Sequence, residues 1–234
     1  MFTPLHNLVA DFISLLFPED CLACHELLAR GETIICTQCR VSLPYTNSHL
    51  LTGSKSELLN RFYNKVPVKH AFAFLTFTRS GRVQQLLHAL KYKGHEEVGE
   101  ILGNWYGAEL KEHYYQEQFD LIIPVPLHRL KLRKRGYNQS DSFAKGLSQA
   151  LNIPWQPNVL ERLADSSTQT KKTRLERWQN VGQLFTVHQP NVIFDKRILL
   201  VDDVMTTGAT LEACALVLLE AGAAGVSVAA IAAA

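Results

Sequence analysis

Two stretches of this chain carry residue types at spacings that could do chemistry. The first is Arg197-Ile-Leu-Leu-Val-Asp202-Asp203-Val-Met-Thr206-Thr207-Gly208-Ala209-Thr210. A buried apolar strand is expected to end in two adjacent acids, followed by a loop of small residues and a helix. That arrangement sets Asp202 and Asp203 at the C-terminal edge of a parallel sheet, where open α/β folds take their ligands. The backbone N–H groups of the loop and the helix N-terminus form an anion cradle, with threonine hydroxyls as extra donors. Gly208 lets a phosphate approach without a Cβ in the way. Two carboxylates beside a phosphate suit ribose hydroxyls, directly or with Mg²⁺ nearby. The second stretch holds Cys21-Leu-Ala-Cys24 and Cys36-Thr-Gln-Cys39. Paired CxxC turns deliver four thiolates to a tetrahedral Zn²⁺, and a site closed by four sulfurs is structural, not catalytic.

Other chemistries lose their support. No GxxxxGK[ST] and no GxGxxG occurs, which removes the usual nucleotide and dinucleotide loops. A receiver domain would need its phosphoacceptor acid far downstream of Asp202, and too few residues follow. A thioredoxin-like site would use one CxxC opening a helix after a strand, not two in tandem. The fifth cysteine, Cys214, falls inside an expected helix and reads as a small buried apolar residue.

Cations concentrate in two places. Arg129, Lys131, Arg133, Lys134 and Arg135 follow His128 in what is expected to be a loop, and Lys171, Lys172, Arg174 and Arg177 fall in a second irregular stretch. Both suit a polyanion. A small phosphorylated ligand is one occupant. Single-stranded nucleic acid is another, with Tyr137 or Trp178 available for stacking. Lys91 and Lys93 add to this positive charge at an expected helix end, where complementing the helix dipole is an equally good explanation.

The elements that must position these groups follow from periodicity. Strands are expected at 71–77, 121–125, 184–187, 192–194, 197–201 and 225–231. Helices are expected at 4–16, 56–63, 83–90, 98–115, 137–151 and 210–221. Alternation of strand and helix predicts an α/β domain with a largely parallel sheet flanked by helices. It is preceded by the small four-cysteine zinc module. The division expected is 1–55 for the N-terminal helix and module and 56–234 for the larger domain. The chain has 234 residues, 47% hydrophobic and 20% charged, which excludes disordered and collagen-like classes. A net charge of +2 points to no partner by itself, so any attraction for phosphate is local. No stretch reads as a membrane span or a signal peptide, and a cytoplasmic location with reduced cysteines is expected.

The wider pattern resembles a known family. The segment from Asp202 to Thr210 is similar to the phosphoribosyl pyrophosphate (PRPP) signature of type I phosphoribosyltransferases. With the four-cysteine module, Lys91-Tyr92-Lys93-Gly94, Pro124-Val-Pro126-Leu-His128, Arg135-Gly-Tyr-Asn138-Gln139, Gln169 and Arg177 to Asn180, nearly the whole chain resembles the ComF family of competence-associated proteins. The resemblance implies a phosphoribosyltransferase-like sheet. Asp202 and Asp203 would meet the ribose hydroxyls, and Thr206, Thr207, Gly208, Ala209 and Thr210 the 5′-phosphate. His128, Arg129 and the cations Lys131, Arg133, Lys134 and Arg135 would lie where pyrophosphate binds, and a mobile loop would fall in 164–180. It also implies a role in natural transformation, handling incoming single-stranded DNA; the apolar face of helix 4–16 would either cover the core or pair with a partner such as a helicase-like protein. A silent nucleotide-sensing regulator, or a phosphoribosyltransferase unconnected with DNA, would use the same cleft.

Overall fold

A computed structural model describes residues 19–51, 53–163 and 184–234. The expected helix over 4–16 and the residues Gln169, Lys171, Lys172, Arg174, Arg177, Trp178 and Asn180 lie outside the described residues. Two short helices come first, α1 (Thr37–Ser42) and α2 (Glu57–Asn60). Then follow β1 (Val68–Thr76), α3 (Arg82–Tyr92), α4 (Glu97–Glu112), β2 (Leu121–Pro124), α5 (Arg129–Arg135) and α6 (Gln139–Leu151). The chain continues through β3 (Leu160–Arg162), β4 (Phe185–Val187), α7 (Pro190–Ile193), β5 (Arg197–Met205), α8 (Ala209–Glu220) and β6 (Gly225–Ala233).

Four strands form one parallel sheet in the order β1-β6-β5-β2, while β3 and β4 pair antiparallel beside it. The sheet strands are apolar on both faces because helices cover both. In β5, Leu199 and Val201 join the core made with α3, α4 and α6. Ile198 and Leu200 join the opposite core, with Leu58, Phe62, Leu211, Cys214 and Leu218. Strand β6 lies between β1 and β5 and is buried along its whole length. Its alanines leave room for helices on either side.

Two expectations are corrected here. Residues 192–194 are not a strand: Pro190 occupies the first helical turn, where its fixed φ is already helical, and Ile193 is buried as part of α7. Strand β5 does not end at 201 but continues to Met205, because β6 supplies a partner for Asp202, Val204 and Met205 as far as Ala233. Among the described residues, no helix is long and apolar enough to cross a membrane.

Helices α4 and α6 are in backbone contact. A Cβ placed on Gly146 of α6 would lie 2.1 Å from the Glu100 carbonyl oxygen, and one on Gly103 of α4 would lie 2.4 Å from that of Phe143. Lys145 and Gln149 bind the Glu100 carboxylate at 2.7 and 3.0 Å across the seam. This pair matters to the site because the first turn of α6 reaches Asp202. Gly146→Ala must force the helices apart, and we expect a loss of about 2–3 kcal/mol. Thermal denaturation should show it as a fall of roughly 5–10 °C; an unchanged Tm would contradict the close contact.

Candidate functional site

The loop after β5 is shaped from several sides. Gly208 has φ +82°, and a Cβ there would come within 3.1 Å of the Phe62 ring, so both conformation and contact require glycine. The Thr207 hydroxyl accepts from the Ala209 N–H at 3.4 Å at the start of α8. Arg61, just after α2, donates to the carbonyls of Met205 (3.1 Å), Thr206 and Ala234 (2.9 Å). Asp202, Thr206, Thr207, Gly208, Ala209 and Thr210 all line one small cavity of about 50 Å³.

The acid pair is divided by the pleat. Successive side chains on a strand face opposite ways. Asp202 lines the small cavity, whereas Asp203 lines a neighbouring cavity of about 440 Å³ with Thr206, Lys91, Tyr92, His88 and Gln84. Ser140 at the start of α6 donates to Asp202 at 3.1 Å, and the Asp203 N–H donates to the same oxygen at 2.8 Å. Desolvation, and then the charge of Asp203, still push the Asp202 carboxyl up to about 7. Asp203 is paired with Lys91, Nζ to Oδ2 at 2.9 Å. Lys91 stands in the last turn of α3, where its charge also complements the dipole. Its ammonium belongs to the acid pair, and only tertiary structure could show this.

The run 129–135 is a helix, not the expected loop. It lacks a buried face, which is why periodicity missed it. Its ends are fixed locally: His128 Nδ1 accepts from the Leu130 N–H at 3.3 Å, and Gly136 closes it with φ +86°. The cations Arg133, Lys134 and Arg135 in the last turn face the negative end of the helix dipole. Lys131, Lys134 and Arg135 gather with Lys91, Tyr92 and Gly94 around a cavity of about 310 Å³. Neither His128, Arg129 nor Arg133 lines it. Arg129 instead binds Glu161, which also holds His188.

The segment Arg135-Gly-Tyr-Asn138-Gln139 joins this helix to the sheet. Asn138 caps α6 and donates to Val125 (3.0 Å) and Asp141 (2.7 Å), and Gln139 accepts from Arg135. Tyr137, expected as a stacking ring, spends its hydroxyl on the Leu90 carbonyl. Tyr92 is the exposed ring instead, at 64%.

The four cysteines converge as their spacing implied. All four sulfurs lie within 4.8 Å of one another, with Cys24 and Cys36 at 3.8 Å. That matches the edge of a tetrahedron with metal–sulfur bonds of about 2.3 Å. Backbone N–H groups of Cys36 and Cys39 donate to the sulfurs of Cys21 (3.2 Å) and Cys36 (3.4 Å), as thiolates require. Burial opposes the Cys21 thiolate, yet backbone donors from Cys36, Ala23 and Cys24 bring its pKa down to about 7. Burial and the neighbouring sulfurs push Cys39 up. A divalent cation resolves that conflict, and these residues fit Zn²⁺. Cys214 is fully buried and its thiol is pushed far up by desolvation, in line with an inert core residue.

Comparison with known proteins places this geometry in context. A family model described as "Phosphoribosyl transferase domain" matches residues 138–234, from the Asn138 cap through the loop to the end of β6. The chain is 30% identical over 203 residues to "DNA utilization protein YhgH" of Escherichia coli O157:H7, covering 86% of this chain and 84% of that one. It is 39% identical over 94 residues to "Competence protein F" of Haemophilus influenzae, covering 40% and 41%. It is 25% identical over 230 residues to "Competence protein ComFC" of Bacillus subtilis, covering 93% and 91%.

Proposed function

Because the chain belongs to the ComF family of competence-related, phosphoribosyltransferase-like proteins, we propose that its cleft binds PRPP. The observation that carries this reading is the small cavity joining Asp202 to the loop from Thr206 to Thr210 at the C-terminal end of β5. The 5′-phosphate would sit in the loop, at the N-terminus of α8. The ribose would lie toward the acid pair. The diphosphate would extend past Lys91 toward Lys131, Lys134 and Arg135, along the two larger cavities. In the ligand-free protein Asp203 is paired with Lys91, so in this proposal Mg²⁺ needs no protein cage of its own. It would arrive with the diphosphate, whose oxygens it prefers, and so counts as part of the ligand.

Turnover would break the bond between the anomeric carbon and pyrophosphate, with Asp202 and Asp203 near the developing positive charge. Binding ranks ahead of turnover in this proposal. Relatives known as DNA utilization and competence proteins lend support to a second layer, work on DNA; single-stranded DNA taken up in natural transformation is the form proposed here, and the exposed ring of Tyr92 among cations favours it. The Zn²⁺ proposed for Cys21, Cys24, Cys36 and Cys39 is structural in this reading.

The test is thermal stability with and without PRPP and Mg²⁺. At a hundred times its Kd, a ligand of the native state adds about 2.7 kcal/mol, or roughly 5–10 °C for a chain of this size. Wild type should show the shift and Asp203→Asn should not. No shift in wild type would remove the PRPP reading.

A further inference from the structure

We propose that Arg61 is the positioning residue of the loop after β5: by holding that loop's carbonyls on one side, it turns the N–H groups of Thr206 and Thr207 to the other, where they meet a phosphate. The proposal rests on the PRPP reading and deepens it, since Arg61 itself touches no ligand.

Arg61 starts from a backbone with little freedom. It closes α2, where its own N–H donates to the Leu58 and Leu59 carbonyls. Leu58 before it and Phe62 after it are buried in the core that also holds Leu211 and Cys214 of α8. The Phe62 ring packs against Gly208, 3.1 Å from where a Cβ would stand. The chain on either side of Arg61 is thus fixed to the surroundings of the loop. From this base the half-buried side chain reaches 144 positions along the sequence to the Met205 carbonyl at 3.1 Å. It also donates to the Thr206 carbonyl, and to that of Ala234 at 2.9 Å, just past the end of β6.

The peptide units of the described residues are trans. In a trans unit the C=O and the N–H point in opposite directions. Drawing the Met205 and Thr206 carbonyls toward Arg61 therefore sends the N–H groups of Thr206 and Thr207 the opposite way. These residues open the stretch that lines the small cavity with Asp202. A loop free to turn its peptide units over would present carbonyl oxygens to the phosphate and repel it. The guanidinium suits this task because its donors form a rigid planar fork. An ammonium is a point charge on a flexible stem and fixes no angle between carbonyls.

The experiment is titration calorimetry on full-length wild type, Arg61→Ala and Arg61→Lys, well below Tm, with folding checked by circular dichroism. The probes are PRPP with Mg²⁺, ribose 5-phosphate, and inorganic pyrophosphate with Mg²⁺. Ribose 5-phosphate carries the group assigned to the loop, and pyrophosphate the group assigned to Lys131, Lys134 and Arg135. Both variants should bind PRPP and ribose 5-phosphate about tenfold or more weakly, the scale of lost charge-assisted hydrogen bonds. Both should bind pyrophosphate as wild type does. A merely structural defect would weaken all three probes alike, and a role of charge alone would leave Arg61→Lys close to wild type. Either result overturns the proposal, as does unchanged affinity for ribose 5-phosphate in Arg61→Ala. If Arg61→Ala does not fold, Arg61→Lys decides alone, because it keeps the stem and the charge and loses only the fork. If wild type binds PRPP and the variants match it, Arg61 is removed and the PRPP reading stands. If wild type binds neither PRPP nor ribose 5-phosphate, both fall together.

Discussion

Removing the zinc proposed for the four-cysteine cluster should destabilise the whole fold, not only its N-terminal module. Cys21, Ala23, Ile35, Cys36, Cys39 and Leu43 belong to the same buried core as Phe74 and Leu75 of β1 and Leu86 and Leu90 of α3. The chain leaving the module then runs along β1. Thr46 N–H donates to the Phe74 carbonyl at 3.0 Å, and Ser48 exchanges hydrogen bonds of 2.9 Å with both backbone groups of Ala73. Arg40 lies 4.5 Å over the Trp105 ring of α4. Without the metal, four sulfurs at this separation must share protons in a buried place, and α1 loses the anchor that its N-cap Cys36 supplies. Structural zinc contributes about 10–16 kcal/mol of apparent binding energy in small peptides. A loss on the order of 5 kcal/mol here would lower Tm by roughly 10–20 °C. Elemental analysis should find one zinc per chain, and chelator treatment or Cys39→Ser should produce the drop in a single transition. A purified protein with free thiols, far less than one zinc and an unchanged Tm would sink the assignment.

The legible parts of this protein are those governed by local chemistry. Apolar runs at 121–125 and 197–201 read as buried strands, and CxxC spacing carried the cysteine cluster. The small-residue loop after the acid pair marked the place where the structure has a small cavity lined by Asp202 and Thr206 to Thr210. What stayed hidden depends on neighbours. Helix α5 has no buried face, so no periodicity marks it; its caps at His128 and Gly136 are the only sequence signal. The extension of β5 to Met205 exists because β6 runs beside it, and an all-alanine end to β6 looks featureless until two helix layers are placed on it. Lys91 lies 112 positions from Asp203 in sequence, yet 2.9 Å from it in space. Cationic side chains at a helix end have a sufficient local explanation, so the sequence offers no sign of the pairing with Asp203. Only the fold, likewise, reveals that the Tyr137 hydroxyl donates to the Leu90 carbonyl.

Replacing Asp202 by asparagine should stabilise the ligand-free protein at pH 8 while weakening its hold on PRPP. Two observations oppose each other at this residue. Ser140 and the Asp203 N–H are placed to hold its oxygen, and both contacts survive in an amide. Desolvation and the adjacent Asp203 charge nonetheless raise its carboxyl from 3.8 to about 7. An acid whose folded pKa is raised takes up protons on folding. Its penalty is small near pH 4, grows as pH rises through the interval, and is complete above about 7. At 1.36 kcal/mol per unit, the ceiling is on the order of 4 kcal/mol. Asp202→Asn escapes that penalty, so its Tm should exceed wild type by about 5 °C or more at pH 8, with the gap closing toward pH 4. Measuring the difference between the two proteins across pH cancels the groups that titrate in both. The PRPP-dependent shift should shrink in the same variant, because a neutral amide attracts neither a ribose hydroxyl proton nor the positive charge of the departing sugar as an ionised carboxylate does. A variant less stable than wild type at pH 8 would show that the raised pKa is not a native-state burden. A variant that is more stable and still binds PRPP fully would remove Asp202 from the ligand site and leave that duty to Asp203. A variant that gains stability and loses ligand would mean that the cleft keeps a desolvated, repelled carboxylate at a cost to the fold, because the phosphoribosyl ligand needs it there.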